Sequence, residues 1–221
     1  MHLHRKDWKD AMGFFDDMDE FAELPLAEPD PENKFEIDKN VNVETIDDYL
    51  GIPGVAYRDM RMIDDTAKWC DVGGDAKLSF MVKGFKIVPW PYIGTLDKIP
   101  VGGAYTEKSL FTITWKEDAE FEVVDAKPNY EESMTILEDL FPRDQPILFM
   151  CGGGGYSQMA RKFLLFMGWD IDLLYNTGGG WKYTGQNRID LIEEVDDDVF
   201  KYYLWRADHV MLNFDQLTPI D

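Results

Sequence analysis

Cysteine, histidine and basic residues are all scarce in this 221-residue chain: 2 cysteines, 3 histidines, and 22 lysines and arginines against 43 aspartates and glutamates, for a formal net charge of −21. Cys70 and Cys151 are too few for a disulfide framework, so a packed core must hold the fold and both are read as reduced thiols. The acid excess excludes nucleic acid and anionic membrane surfaces as partners, since each attracts a basic face. It also excludes long-range capture of an anionic substrate; any anion must be held by local dipoles. His2 and His4 are read as solvated terminal residues rather than a metal pair, and no metal or cofactor is expected. No apolar run approaches the length of about 18 residues that suggests a membrane span. The first ten residues are too mixed in charge for a secretory signal. An intracellular setting is therefore favoured over an exported one, although a trimmed leader would leave the same sequence. Nothing in the sequence fixes the oligomeric state.

What is abundant is apolar and aromatic residues: 45% of the chain is hydrophobic, with 14 Phe, 10 Tyr and 7 Trp, enough core for one domain with extensions. Residues 1–41 read as an acidic N-terminal extension that ends in a linker broken by Pro25, Pro29 and Pro31. Residues 42–185 read as the main domain with an insertion at about 93–127, and residues 186–221 as an extension that docks back through its apolar stretches at 199–204 and 209–217. The charged run 193–198 is expected to be solvated surface, and His209 a bystander. Asp38-Lys-Asn-Val-Asn42 opens like a calcium loop, but Val43 stands where a glycine is required and Tyr49 where a bidentate Glu belongs. Residues 43–50 are read instead as a short helix with Ile46, Tyr49 and Leu50 inward.

Short buried strands are expected at residues 55–59, 85–90, 147–150 and 171–175, the second cut off by Pro89 and Pro91. Strict alternation over residues 110–115 predicts a hairpin with residues 121–124, and helical spacing marks residues 131–141. The expectation is an α/β fold, an open and mainly parallel central sheet flanked by helices, with a β-hairpin insertion and its site at the carboxyl edge of the sheet.

The strand at 147–150 leads into Cys151-Gly-Gly-Gly-Gly-Tyr-Ser157, and the sequence after it turns helical, with Ala160, Phe163, Leu164 and Met167 on one face and Gly168 placed to stop it. Four glycines in a row allow backbone dihedrals closed to other residues and let several amide N–H groups converge. A thiol set against such a nest, at the positive end of a helix, is favoured as thiolate, the reactive form. Cys151 is therefore the candidate nucleophile. Amides of Gly152, Gly153, Gly154, Gly155 and Tyr156 are the candidate anion cradle. Cys70, read as lying in a loop, is the weaker thiol, and Asp59 with Arg61 reads as a structural ion pair.

The stretch Cys151–Ser157 resembles the active-site loop of rhodanese-type sulfurtransferases: Cys, two residues, Gly, one residue, Arg, then Ser or Thr. Gly154 and Ser157 fall on matching positions, and the helix runs without a gap to Gly168-Trp169. Asn176-Thr-Gly-Gly179 is similar to the family's Asn-Leu-x-Gly-Gly turn, and Asp59-Met-Arg61 to its first Asp-x-Arg motif. Tyr156 departs from the pattern by standing in place of the loop Arg.

The resemblance implies a Cys persulfide held by loop amides, with Ser157 capping the helix or bonding the sulfur. It implies as partners a small sulfane-sulfur donor and a thiol or cyanide acceptor, either of them small or protein-bound. Loss of the loop Arg implies a neutral or protein-bound donor or weak thiosulfate use. The alternatives are a non-catalytic interaction module and a redox-sensing thiol resolved by Cys70. Phosphatases on the same fold need a longer loop ending in Arg, and Ser157 stands at that position.

Overall fold

The computed structural model of the protein describes residues 23–62, 78–95, 108–196 and 199–220. His2, His4, Cys70 and the aromatics of the first 22 residues lie outside them. In chain order the strands are β1 (Ala56–Asp59), β2 (Phe80–Val82), β3 (Lys86–Ile87), β4 (Phe111–Trp115), β5 (Val123–Pro128), β6 (Ile147–Cys151), β7 (Leu174–Gly179), β8 (Arg188–Asp190), β9 (Ile192–Asp196) and β10 (Val199–Tyr202). The helices are α1 (Trp90–Ile93), α2 (Ser133–Leu140) and α3 (Gly155–Phe166).

The fold is α/β. Its centre is a parallel sheet in the order β3-β1-β6-β7, packed against α3, with the antiparallel pairs β4–β5, β2–β8 and β9–β10 around it. β6 is apolar throughout and fully buried because both of its faces are covered. Alternation divides its side chains. Ile147, Phe149 and Cys151 join Met159, Ala160, Phe163 and Leu164 of α3 and Phe111 and Ile113 of the hairpin. Leu148 and Met150 join Val41, Ile46, Leu50 and Phe80 on the other face. Among the described residues that second face is covered by the 3-10 turn Ile46–Tyr49 and the β2–β8 pair.

The helix expected after the glycines is α3, and Gly168 ends it as the periodicity predicts. Gly168 takes φ +88, its N–H donates to the Leu165 carbonyl at 3.0 Å, and Trp169 N–H donates to Leu164 at 2.9 Å. Other boundaries differ from the sequence reading. The strand expected at 171–175 opens as a 3-10 turn, Ile171–Leu173, because the Asp170 side chain accepts the Asp172 N–H; the strand itself is β7 and runs on through Gly178 and Gly179. The expected hairpin forms, but its return strand β5 begins at Val123 and runs on to Pro128, with Trp115 opposite Val123; Phe121 takes φ +60 and is buried ahead of it. Of residues 85–90 only Lys86 and Ile87 are strand, and Pro91 sits in the first turn of α1, where its missing N–H costs nothing. The acidic run near 193 is exposed, but it is strand β9 paired with β10.

Both outer strands of the sheet are sealed by chain from outside it. Along β7 and the residues before it, Asp38 N–H donates to Asn176 O at 2.8 Å, Val43 N–H to Thr177 O at 2.8 Å, and Tyr175 Oη to Pro25 O at 2.7 Å. Along β3, Ile87 N–H donates to Asp208 O at 2.8 Å and Val210 N–H to Ile87 O at 2.9 Å. Unpaired backbone on an edge strand is a template for aggregation, and these segments remove it. The Asp38 carboxylate that resembles a calcium ligand accepts the N–H groups of Glu28, Asn40 and Val41 instead. Among the described residues no cluster of His, Cys, Asp and Glu could hold a metal ion, and no helix is long and apolar enough to cross a membrane.

At the end of β1, Asp59 and Arg61 are wholly buried and paired, Nη2 to Oδ2 at 2.5 Å, with Arg61 Nη2 also donating to Phe80 O at 2.7 Å. Removing one member leaves the other charge buried and unmatched, which costs about 3–5 kcal/mol. Asp59→Ala should lower the unfolding free energy by that amount in urea titration. A loss below about 1 kcal/mol, the worth of a surface pair, would show that the pair is not a buried, mutually dependent one.

Candidate functional site

Cys151 is the last residue of β6, residues 152–154 form the bend, and α3 begins at Gly155. The bend returns its own backbone to the thiol: Gly154 N–H donates to Cys151 Sγ at 3.0 Å. Gly154 is the N-cap residue with φ +107, a conformation that needs glycine, and its carbonyl accepts the first helical bond from Gln158 N–H at 3.0 Å. The sulfur thus sits one bend away from the positive end of a 12-residue helix. Of the five amides expected to form a cradle, that of Gly154 bonds Sγ here.

The glycines also permit a close backbone contact. A Cβ on Gly179 would lie 2.5 Å from the Gly152 carbonyl oxygen and 2.9 Å from Gly153 Cα. One on Gly180 would lie 3.1 Å from Met150 Sδ and 3.2 Å from the Cys151 carbonyl. Trp181 N–H closes the contact by donating to Gly152 O at 3.2 Å. The loop after β6 and the glycine run of β7 therefore pack backbone on backbone. The turn expected at Asn176–Gly179 is displaced: those residues are still strand β7, a 3-10 turn follows at Gly180–Lys182, and Gly179 and Gly180 are the floor against which the thiol loop rests.

Asn176 locks the two together, and sequence reasoning gave it no role of its own. Its Nδ2 donates to Gly154 O at 3.2 Å and to Phe35 O at 2.7 Å, while its Oδ1 accepts Gly178 N–H at 3.0 Å. A buried amide between two glycine runs was the available signal.

Ser157 does not cap the helix. It lies inside the first turn, beyond the N-cap, and its hydroxyl is buried with no hydrogen-bond partner. Tyr156, in place of a loop Arg, is buried in the apolar cluster that contains Cys151. Asp59 and Arg61 come close to the loop through backbone, Met60 N–H donating to Met150 O at 2.7 Å, but their side chains lie with Phe80 on the face opposite Cys151. They support the strand end and do not reach the thiol. His209 bridges to Ile87 on the outer side of β3, three inter-strand spacings from β6 and so roughly 14 Å across the sheet.

Ser157 Oγ, Trp90 Nε1 and Arg61 Nη1 are buried polar atoms without partners, and all three belong to residues at the carboxyl end of the sheet or the amino end of α3. Unsatisfied buried polar groups are rare enough to mark functional positions, and this end is where open α/β sheets bind ligands. The site is nevertheless closed. Cys151 has no solvent exposure, Phe35 lies over the loop 3.1 Å from where a Gly154 Cβ would stand, and Ile37 lies likewise 3.0 Å from Gly178. Beside Phe35, the Glu36 carboxylate accepts from Arg161 Nη1 at 2.8 Å and Lys162 Nζ at 2.6 Å. Burial pushes the Glu36 pKa up, but hydrogen bonds from Lys162 and Gln158 and the two cationic charges outweigh it and hold the group below the ordinary Glu value.

Searches of family models, curated proteins and solved structures found no match to this chain. The backbone contact between the glycine runs leads to a direct expectation. Gly179→Ala must displace residues 152–154 and should cost about 1–3 kcal/mol, the usual range for overpacking. Gly54→Ala, at φ +80 with nothing within 4 Å, should cost only backbone strain of roughly 1–2 kcal/mol. Urea titration measures both, and altered exchange of the Gly154 amide in Gly179→Ala but not in Gly54→Ala would locate the effect. A Gly179→Ala protein as stable as wild type would contradict the close approach.

Proposed function

We propose that this protein is a rhodanese-like sulfurtransferase in which Cys151 carries sulfane sulfur between a donor and a thiol or cyanide acceptor. The observation that carries the reading is the Gly154 N–H bond to Sγ at the end of an inner parallel strand and the start of α3. An amide N–H on the sulfur stabilises a thiolate or persulfide relative to the thiol, against the opposing effect of the apolar cluster around it. The unpartnered Ser157 hydroxyl, in the first turn of α3, and the unpartnered indole N–H of Trp90, in the cluster that contains Cys151, support the reading.

The chemistry needs no cofactor. The thiol loses its proton, and Sγ attacks the outer sulfur of the donor. A bond forms between Sγ and that sulfur as the donor's own bond to it breaks, the electron pair leaving with the donor. An acceptor thiolate or cyanide then attacks the terminal sulfur, the disulfide bond of the persulfide breaks, and Cys151 returns as thiolate. With Tyr156 where a cationic side chain would stand and a net charge of −21, a neutral or protein-bound donor suits this site better than a dianion.

A second reading, a non-catalytic module that binds a partner protein, is favoured by one specific finding: close backbone packing accounts for much of both glycine runs without any chemistry. Redox sensing through Cys70 involves a residue outside the described set.

Cys151→Ser separates the first two readings. Sulfur transfer from a sulfane donor to cyanide should be abolished, with the urea midpoint close to that of wild type. Turnover that survives the substitution would remove the sulfurtransferase reading.

A further inference from the structure

We infer that residues 30–37 form a hinged lid over the Cys151 loop, latched by Glu36; the inference rests on the proposed role of Cys151 and assigns the regulation of that site. The base of the lid is fixed. Pro29 and Asp38 form an antiparallel bridge, Asp30 N–H donates to Ile37 O at 3.0 Å, and Lys39 N–H donates to Glu28 O at 3.0 Å. Asp38 N–H is in turn bonded to β7 through Asn176 O.

The tip is a self-contained turn. Phe35 N–H donates to Asn33 Oδ1 at 2.9 Å and Glu36 N–H to Asn33 O at 2.9 Å. It is held to the body by contacts of a different kind: the Phe35 ring on Gly154 and 5.9 Å from Phe121, the Asn176 bond to Phe35 O, and the Glu36 carboxylate on Arg161 and Lys162. Glu36 has φ +46, a left-handed conformation that a non-glycine residue adopts at a cost, so the latch residue is strained when closed. Lifting the tip about its base breaks these contacts and leaves the hydrogen bonds that seal β7 in place. It uncovers Gly154 and the loop in front of a thiol that is otherwise inaccessible.

The test is native-state alkylation of Cys151 by iodoacetamide in the full chain, followed by peptide mass spectrometry that reads Cys151 separately from Cys70. Wild type is compared with Glu36→Gln, Phe35→Ala and Ile46→Val, the last a buried change on the opposite face that loosens the whole protein without touching the lid. The lid predicts slow alkylation of wild type and, in Glu36→Gln and Phe35→Ala, a rise on the order of tenfold, as expected for loss of one charge-assisted hydrogen bond or one ring contact. The rise should be flat across low urea and absent from Ile46→Val. Unchanged rates in both lid variants, or a rise that follows global stability as in Ile46→Val, would overturn it. If alkylation rises as expected but Cys151 never gains sulfur from a sulfane donor, the lid stands and the sulfur-carrier reading falls.

Discussion

Where β6 and β7 end, their backbones approach more closely than any side chain would allow. The Gly152 carbonyl and Gly153 Cα lie against Gly179, and Cys151 O lies against Gly180. This contact fixes the bend after Cys151, and the bend determines both the amide aimed at the sulfur and the angle at which α3 leaves the sheet. Asn176 joins the two runs by hydrogen bonds that glycines cannot make for themselves. The thiol position is thus set by main-chain packing, and the apolar cluster beneath it supplies rigidity rather than placement.

The chain on either side of the central strands completes the sheet rather than decorating it. Residues 25–43 bond along β7, and residues 208–210 bond along β3, so neither edge of the described sheet is left as open backbone. On the β7 side the same segment continues into the turn that places Phe35 on the thiol loop. Sealing the edge and covering the site are consecutive consequences of one path of the chain. The acid excess of the sequence is used locally here, with Glu36 supplying the counter-charge to Arg161 and Lys162 on α3.

The parts of this structure that local physics decides were legible in the sequence. β6, the bend, α3 and its end at Gly168 follow from an apolar run, a glycine run, a 3.6-residue period and a C-terminal glycine, all signals within about one helix length. The buried pair of Asp59 and Arg61 followed from their spacing at a strand end. What escaped the sequence depends on partners far along the chain. Gly178 and Gly179 read as a turn because glycine usually marks one, whereas here they are strand because another backbone lies against them. Ser157 was assigned by motif to capping or to the sulfur, but the cap position belongs to Gly154. The acidic extension 1–41 looked as if it ended in a linker broken by Pro25, Pro29 and Pro31, because charge and proline dominate that stretch; the apolar anchors Phe35, Ile37 and Val41 show their purpose only once Gly154, Gly178 and the second core are in place.

The central claim is that Cys151 is a sulfur carrier. Its most direct test is mass spectrometry of the Cys151 peptide after the protein has met a sulfane-sulfur donor, and again after a small thiol is added, with the pH dependence of its alkylation measured alongside. The account predicts a gain of one sulfur atom on Cys151 that the thiol removes, and reactivity at a pH well under the free-thiol pKa of about 8.5. A Cys151 that alkylates only as an ordinary thiol and never takes up sulfur would contradict it, and would leave the glycine contact as a purely structural device.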